Sequence, residues 1–550
     1  VTANELPERI VLIGPSGSGK SELANRLASQ LAVKAIDTDA VIEERIGMPV
    51  FEFFARFGEG AFRAVEAQVL AEACSQEQVV IATGGGVVTV DKNWSTMRPG
   101  SLIVGLRAEP ESLVERVNAQ ASGGDASAIR PLLAGNAIER IREQLKTRQR
   151  FYDQADITID TDDLDPAAVT SEVMVVLQKN APEHVPPVYT LPGTVDRSDI
   201  YIGHGAAQQS ALVARRRWPR SRNAWIITDN HVGPAWANEV AGLFEAAEFR
   251  SKVITVPQGE TSKSFKQVEA VCDAITAAGS NRRDLVIALG GGVVGDLAGL
   301  VASICLRGLT LIQLPTSLLA MVDSSVGGKT GINTASGKNL VGTFNQPALV
   351  FVDSAFLSTL PVEEYRSGMA EVIKHSVIQP ATPVGGHSLR SALEQQATLD
   401  PVPSSVIDDV LKLNVGIKHS VVQADERESG LRMVLNFGHT TGHAIEADGY
   451  RYRHGEAVGL GMLVASRMAL ELERVNRDWV DNVEAGLKRA GLPVRLDARI
   501  DDVIGRLVHD KKNVDGTLQW VMPHQTHGVE IVNGINIEVV RRALADIGAS

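Results

Sequence analysis

The chain has 550 residues, 44% of them apolar and 22% charged, with a formal net charge of −12. At about 150 residues per domain this is three or four globular domains, and it excludes a disordered or fibrous chain. The acidic balance argues against nucleic-acid or anionic-membrane partners, though not against anionic small molecules in local pockets. Cys74, Cys272 and Cys305 lie far apart with no metal-binding spacing, which points to a reducing cytoplasm. The stretch VTANELPERI lacks a basic start and an apolar signal core. The most apolar region, Leu285 to Val322, is broken by Asp296, Arg307 and several glycines, so buried strands and helices are expected there rather than a membrane span.

In chain order, residues 9 to 178 alternate short β-branched runs with amphipathic helical patterns. RIVLI reads as a buried strand bounded by Gly14. GPSGSGKS follows, then the helical ELANRLASQL. This is a P-loop in its required strand–loop–helix setting. Gly14, Gly17 and Gly19 let backbone N–H groups cradle phosphate oxygens, Lys20 reaches the β/γ-phosphates and Ser21 can hold Mg²⁺. Asp37 and Asp39, in AIDTDAVIE, lie just past a strand end, where open α/β sheets bind ligands. Arg63 and Glu66 are one helical turn apart in FFARFGEGAFRAVE. VVIATGGG brings Gly84, Gly85 and Gly86, IRPLLAG contains Arg130, and LKTRQRFY contains Arg148. Each is weak singly; an Asp pair is usually a helix cap and a lone Arg is usually solvated.

Together and in this order these motifs resemble shikimate kinase over 9 to 178. The resemblance implies a nucleoside-monophosphate-kinase-like fold that phosphorylates the 3-hydroxyl of shikimate with ATP and Mg²⁺. It implies that Asp39 binds shikimate hydroxyls, that Arg63 and Arg148 bind its carboxylate, and that Gly84, Gly85 and Gly86 bring backbone against the ring. Asp37 would support Mg²⁺ through water, Arg116 would stack on adenine, and Arg130 would arrive on a mobile lid. With Lys20, Arg130 would neutralise the transferring phosphoryl group. A kinase of another small polyol acid, such as gluconate, is the alternative.

NAPEHVPPVYTLPG holds four prolines and reads as a linker. A second alternating region runs from about Tyr189 to Leu360. Its ALGGGVVGDLAGLVAS follows a strand and opens a helix, with Gly291, Gly292 and Asp296 but no P-loop lysine. Upstream, AWIITDN ends a strand near Asp229, and VPQGETSKSF carries Glu260 and Lys263. Glycines at a helix start suit a dinucleotide pyrophosphate, and acids at strand ends suit ribose hydroxyls, although G-x-G-x-x-G is missing. Then comes LPTSLLAMVDSSVGGKTGINTASGKNLVGTFNQP, with Thr316, Ser317, Asp323, Lys329, Lys338 and Asn339. Beyond Pro361 helical patterns such as VGLGMLVASRMALELERV dominate. SGMAEVIKHSV, ADERESGLRMVLNFGHTTGHAIE and HGEAVGLGM lie there. His439 and His443, four apart, share a helical face, so spacing alone makes both of them metal ligands.

This succession is similar to 3-dehydroquinate synthase from about residue 190 to 530. The family implies an NAD-binding α/β domain followed by a mostly helical metal-binding domain. The reaction it implies is closure of the phosphorylated keto acid DAHP to 3-dehydroquinate. NAD oxidises a ring alcohol transiently, phosphate is eliminated, the hydride returns and an aldol step recloses the ring. Zn²⁺ or Co²⁺ would be held by Glu371, His439 and His454, leaving His443 to the substrate because a catalytic cation needs open positions. Glu456, beside His454, would orient it. Asp229, Glu260, Lys263, Gly291, Gly292, Asp296, Thr316, Ser317, Asp323, Lys338 and Asn339 would line the NAD site. Ser317 stands where the family has a second threonine, and keeps its hydroxyl. Lys329, Lys374, Lys418, Arg432, Asn436 and His443 would carry the chemistry. Arg307 and Lys511 or Lys512 would help hold carboxylate and phosphate. His524 and His527 read as turn residues, and IQPATPVGGHSL fits no motif of the family.

The expected chain is therefore a fusion: kinase at 1–179, linker at 180–188, NAD-binding domain at 189–360 and helical domain at 361–550. Its partners would be the small molecules shikimate and DAHP, and the family implies a homodimer through the synthase half. Two alternatives stand beside this: one half is a silent scaffold, or the second half is another NAD-dependent sugar-phosphate cyclase. Intact Lys20, Asp39 and Arg63, with intact Glu371, His439 and His454, argue against a scaffold.

Overall fold

The computed structural model describes residues 7–122, 137–152, 154–162, 164–178, 187–191, 197–384, 387–428, 430–447, 451–510 and 518–550. The chain forms two compact units. The first comprises Val1–Val185, Pro192–Arg197 and Ala211–Ser221; the second comprises Pro186–Leu191, Ser198–Ser210 and Arg222–Ser550.

The first unit is built on five parallel strands: β1 (Arg9–Ile13), β2 (Lys34–Asp37), β3 (Val79–Ala82), β4 (Ser101–Arg107) and β5 (Ile157–Asp160), in the order β2-β3-β1-β4-β5. Strand β1 is buried along its whole length, as a central strand covered on both faces must be. Its side chains alternate between two cores. Ile10 and Leu12 join Leu23, Leu27 and Val173; Val11 and Ile13 join Leu70, Trp94 and Tyr152. The strand ends in Gly14 at φ 147°, where a Cβ would lie 2.5 Å from the Leu106 carbonyl. From there the chain turns into the helix Lys20–Leu31, entered through left-handed Gly19.

The second unit has seven strands in one sheet: β6 (Tyr189–Leu191), β7 (Ser198–Ile202), β8 (Asn223–Asp229), β9 (Arg250–Val256), β10 (Leu285–Gly290), β11 (Thr310–Pro315) and, after a hairpin, β14 (Leu349–Val352). Their order is β6-β7-β14-β11-β10-β8-β9, with only β6 antiparallel to its neighbour. The hairpin, β12 (Lys329–Thr334) with β13 (Gly337–Phe344), stands outside that sheet. Beyond Pro361 the described residues form helices and one antiparallel pair, β15 (Gln519–His524) and β16 (Gly528–Asn533). The helix Val362–Ile378 is buried from Ser367 to Ile378 without interruption, which makes it the axis of this part. The helix His454–Glu471 crosses it at backbone distance, since a Cβ on Gly455 would fall 2.0 Å from the Ser367 carbonyl. Gly461 meets the Gly438 carbonyl in the same way. These two close approaches bring the residues around 371, 439 and 454 together.

Candidate active sites

In the first unit the loop Gly14–Gly19 wraps the buried Lys20, whose Nζ donates to the carbonyls of Gly14 (2.9 Å) and Pro15 (2.8 Å). Ser21, the second residue of the helix Lys20–Leu31, is exposed. Asp37 caps the helix Thr38–Ile46, accepting from the N–H groups of Asp39 (3.0 Å) and Ala40 (3.3 Å), so its carboxylate has a structural task in this conformation. Asp39 sits in the first turn of that helix, pointing at the glycine run: a Cβ on Gly84 would lie 2.7 Å from its Oδ1 and 3.0 Å from Glu66 Oε1. Arg63 Nη1 pairs with Glu66 at 2.7 Å, and a Cβ on Gly86 would lie 2.4 Å from the Arg63 guanidinium. Gly85 faces the phosphate loop, 3.4 Å from Ser16 Oγ by the same measure. Burial raises the Glu66 carboxyl, and Arg63 and Arg148 only partly offset it. Asp39, Arg63 and the phosphate loop thus lie against the three glycines, with Arg148 near Glu66.

The Arg116 guanidinium donates to Thr161 Oγ1 (2.7 Å) and to the Thr161 carbonyl (2.5 Å), bonds that lie in its plane and fix its orientation. Arg130 lies outside the described residues. Sequence reasoning missed Tyr152. It is 5% exposed and donates through its hydroxyl to the Gly85 carbonyl at 2.5 Å, fixing the middle of the glycine run. Its position four residues after Arg148, on the same helical face, was the available signal.

In the second unit β10 ends in Gly290, Gly291 caps the helix Gly292–Ile304, and Asp296 lies one turn in. Lys263 Nζ joins Asp296 Oδ2 and Asn339 Oδ1, each at 2.5 Å. Glu260 accepts from Asn333 at 2.9 Å. Asp229, at the end of β8, caps the next turn through the N–H groups of His231 and Val232, both at 2.8 Å. Thr316 N–H donates to the Gly290 carbonyl at 3.0 Å, and Ser317 Oγ lies 3.3 Å from where a Cβ on Gly291 would sit. Of the predicted dinucleotide residues, Gly291, Thr316 and Ser317 meet at the glycine turn, and Lys263, Asp296 and Asn339 are joined just beyond it, while Asp229 and Glu260 are engaged by backbone N–H groups and Asn333 respectively.

The helical part supplies a buried cluster. Glu371 is fully buried, and its Oε1 has no hydrogen-bond partner, yet it lies 3.6 Å from both His439 Nε2 and His454 Nε2. These separations are close to the roughly 3.4 Å edge of a tetrahedral site with bonds near 2.1 Å. Each ring is turned the right way. His439 Nδ1 faces the Phe437 carbonyl (3.3 Å) and His454 Nδ1 faces Glu446 Oε2 (3.1 Å); both partners are acceptors, so Nδ1 donates and Nε2 is aimed at Glu371. Burial, then Lys374, pushes His439 down to about 3. Burial works the same way on His454, but Glu371 and Glu446 outweigh it and raise that group to about 9. The donor set fits a divalent cation. His443 is exposed and stands edge-on to His439, with ring centroids 5.3 Å apart, outside this triad. Asp323, Glu371 and His375 form a second grouping, but Lys418 and Lys374 already lie against Asp323, which belongs to this grouping and not to the triad. Two ammonium groups there oppose a further cation.

Around the triad the predicted cations gather. Lys374 pairs with Glu371, Lys418 with Asp323, and Lys329 with Glu428, which also accepts from Asn436 at 3.0 Å. Burial lowers Lys418 to about 8 despite Asp323. Arg432 is 2% exposed and donates to the Gly327 carbonyl at 3.0 Å. Arg307 is not in this group: it is exposed, in a turn where Leu306 and Arg307 both have left-handed φ (51° and 65°). Lys511 and Lys512 lie outside the described residues. Glu456 does not orient His454. It accepts from the Arg453 N–H at 2.8 Å and so caps the helix, because its short reach from the first turn favours the backbone. Glu446 takes the place assigned to it, and also pairs with Lys338 at 2.7 Å. Glu446 is seven residues after His439 on one helix face, a periodicity the sequence displayed. His527 lies in a turn, as expected, whereas His524 is the last residue of β15, paired with Gly528 across the hairpin.

Among the described residues no helix is long and apolar enough to cross a membrane. The family model for shikimate kinase matches residues 16–178, and the models for the 3-dehydroquinate synthase N-terminal and C-terminal domains match 253–367 and 368–513. A 3-dehydroquinate synthase of Symbiobacterium thermophilum is 40% identical over 353 residues, 64% of this chain and 97% of the relative. One from Lactiplantibacillus plantarum is 45% identical over 307 residues, 55% of this chain and 82% of the relative. Among solved structures, ValA (2-epi-5-epi-valiolone synthase) from Streptomyces hygroscopicus subsp. jinggangensis, with NAD⁺ and Zn²⁺ bound, is 26% identical with a TM-score of 0.57, covering 64% of this chain and 96% of that one. The chain belongs to the 3-dehydroquinate synthase family and carries a shikimate kinase domain ahead of it, two enzymes of the shikimate pathway on one polypeptide.

Proposed function

We propose that each half uses the cofactors and residues expected from the motifs, with residues 1–179 as the kinase, 180–188 as linker and 189–550 as the synthase. In the kinase, Gly14, Gly17, Gly19, Lys20 and Ser21 hold ATP with Mg²⁺. Lys20 leaves the loop carbonyls to meet the β/γ-phosphates. Asp39 orients the shikimate hydroxyls, and Arg63 and Arg148 hold its carboxylate. Gly84 to Gly86 leave room for the ring, and Lys20 with Arg130 balances charge on the transferring phosphoryl group. Asp37 reaches Mg²⁺ only through water, since its carboxylate caps a helix.

In the synthase, the turn at Gly291 and Gly292, with Asp229, Glu260, Lys263, Asp296, Thr316, Ser317, Asp323, Lys338 and Asn339, takes NAD. Glu371, His439 and His454 take Zn²⁺ or Co²⁺. When bound, NAD supplies reversible hydride transfer and the cation polarises a substrate oxygen. Lys329, Lys374, Lys418 and Arg432 hold the carboxylate and phosphate of DAHP, joined by Lys511 or Lys512. His443 and Asn436 orient protons at the substrate oxygens. The protein works in the cytoplasm on small molecules, as a homodimer through the synthase half.

The observation that carries the synthase reading is the fully buried Glu371 Oε1, without a hydrogen-bond partner and equidistant from two imidazole nitrogens. The test is a pair of assays on the purified chain: phosphate release and dehydroquinate from DAHP with NAD and Zn²⁺, and ADP from ATP with shikimate. Both products are expected. Failure of dehydroquinate to form while phosphate or another cyclitol appears would overturn the substrate assignment.

A further inference from the structure

Two residues of the hairpin tip face opposite ways. Asn339 adopts left-handed φ (56°), uncommon for a residue with a side chain, and this sets Lys338 and Asn339 on different partners. Asn339 Oδ1 accepts from Lys263, which also holds Asp296 on the helix that follows the glycine turn. Lys338 Nζ reaches the other way, to Glu446 Oε1 at 2.7 Å. Glu446 Oε2 then meets His454 Nδ1 at 3.1 Å. The line Asp296–Lys263–Asn339–Lys338–Glu446–His454 runs from the dinucleotide turn to the metal triad through charged or hydrogen-bonded contacts. Every contact in it is 3.1 Å or shorter, and its one covalent step is the peptide bond between residues 338 and 339.

We propose that Glu446 is a positioning residue: it fixes the His454 ring for the metal and, through Lys338, makes metal affinity depend on dinucleotide binding at the hairpin. The proposal rests on the cofactor reading given above. The physical reason is the geometry of the carboxylate. One oxygen accepts a hydrogen bond from His454 Nδ1–H, which fixes the ring and strengthens Nε2 as a ligand. The other oxygen is held by an ammonium group on the hairpin, whose far end is tied to the helical part by Lys329 and Glu428. When a dinucleotide orders the hairpin, Lys338 holds Glu446 in place. When the hairpin moves, Glu446 loses the partner that aims it. Coupling of this kind is reciprocal, so the metal must tighten dinucleotide binding by the same factor.

The test uses the full chain and two binding constants: Zn²⁺ by chelator competition and NAD⁺ by calorimetry, each with and without the other ligand. It compares the wild type with Lys338→Met, Glu446→Ala and the double variant. In the wild type each ligand should tighten the other about five-fold or more. Lys338→Met removes the partner of Glu446 and should weaken Zn²⁺ in the absence of NAD⁺ by less than Glu446→Ala does, and at saturating NAD⁺ the tightening of Zn²⁺ should vanish. Glu446→Ala should weaken Zn²⁺ about ten-fold or more and remove the tightening. The double variant should match Glu446→Ala. A side chain with a merely structural role would lower stability without abolishing the mutual effect of the ligands. Lys338 is partly exposed, so its variant keeps the test decisive even where Glu446→Ala folds poorly. Zn²⁺ affinity unchanged in Glu446→Ala, or tightening retained in Lys338→Met, overturns the proposal. A wild type that binds both ligands without mutual effect overturns it too, leaving the cofactor reading intact; a wild type that binds neither defeats both.

Discussion

The runs VVIATGGGVV and LVIALGGGVV look alike in sequence and differ in what presses against them. At Gly84 and Gly86 the space a Cβ would need is held by charged groups: Asp39 and Glu66 at the first, Arg63 at the second. At Gly290 it is held by Val294 of the run's own helix, at Gly291 by Ser317 and at Gly292 by Ser324. The first run passes into a short 3₁₀ turn, Val87–Thr89, and the second opens the helix Gly292–Ile304. Only the second therefore presents a full helix N-terminus to an anion. None of the six glycines has positive φ, so glycine is required in both runs for closeness, not for backbone freedom. The same local sequence packs against charged side chains and runs into a 3₁₀ turn in one place, and packs against valine and serine and opens a helix in the other.

Substitutions can break or sharpen that contrast. The largest effect belongs to the metal triad beyond the second run. His454→Ala or His439→Ala should strip the purified protein of zinc and cut dehydroquinate formation about a thousand-fold or more, whereas His443→Ala should keep its zinc while losing most turnover. Elemental analysis of the three proteins decides; a zinc-free His443→Ala beside a loaded His454→Ala would reverse the assignment. Gly86→Ala comes next. Its methyl must displace the Arg63 guanidinium, which Glu66 and Glu59 hold, so the KM for shikimate should rise about ten-fold or more with the KM for ATP little changed. An unchanged shikimate KM would mean that Arg63 does not meet the substrate. Tyr152→Phe removes only the hydroxyl on the Gly85 carbonyl and should lower kinase kcat/KM several-fold, about 1 kcal/mol. Gly292→Ala is the mildest. Its Cβ would be 3.1 Å from Ser324 Oγ, a gap that side chain can open, so NAD⁺ affinity measured by calorimetry should fall about three-fold or less. A larger loss would place the dinucleotide closer to Gly292 than the turn suggests.

Much of this was legible in the sequence because both ends of each recognition are fixed by local chemistry. The phosphate loop needs glycines, a lysine and a following helix in a row, and GPSGSGKS supplies them within eight residues. The choice of His454 over His443 could not come from spacing. It depends on Gly455 and Gly461 letting two helices approach at backbone distance, a tertiary fact. Glu456 was misread for a related reason: adjacency in sequence suggested contact with His454, but a glutamate in a helix's first turn meets the free backbone N–H before it meets a neighbouring ring. Glu446 and Tyr152 were missed although each sits at helical spacing from a residue already singled out. An acid or a tyrosine at such a position is ordinary, and only the partner across the fold gives it a task. Asp37 combines both readings, since the helix cap that the bland interpretation expected is present at a predicted site residue.

The central claim is that one polypeptide carries two separate catalytic sites, and a crossed assay tests it most directly. Lys20→Ala and His439→Ala are each purified as full chains and assayed for ADP from ATP with shikimate and for dehydroquinate from DAHP with NAD and Zn²⁺. Lys20→Ala should lose about a thousand-fold or more of its kinase turnover and keep synthase turnover within about two-fold; His439→Ala should show the opposite. A folded variant in which either single substitution abolishes both activities would contradict the account.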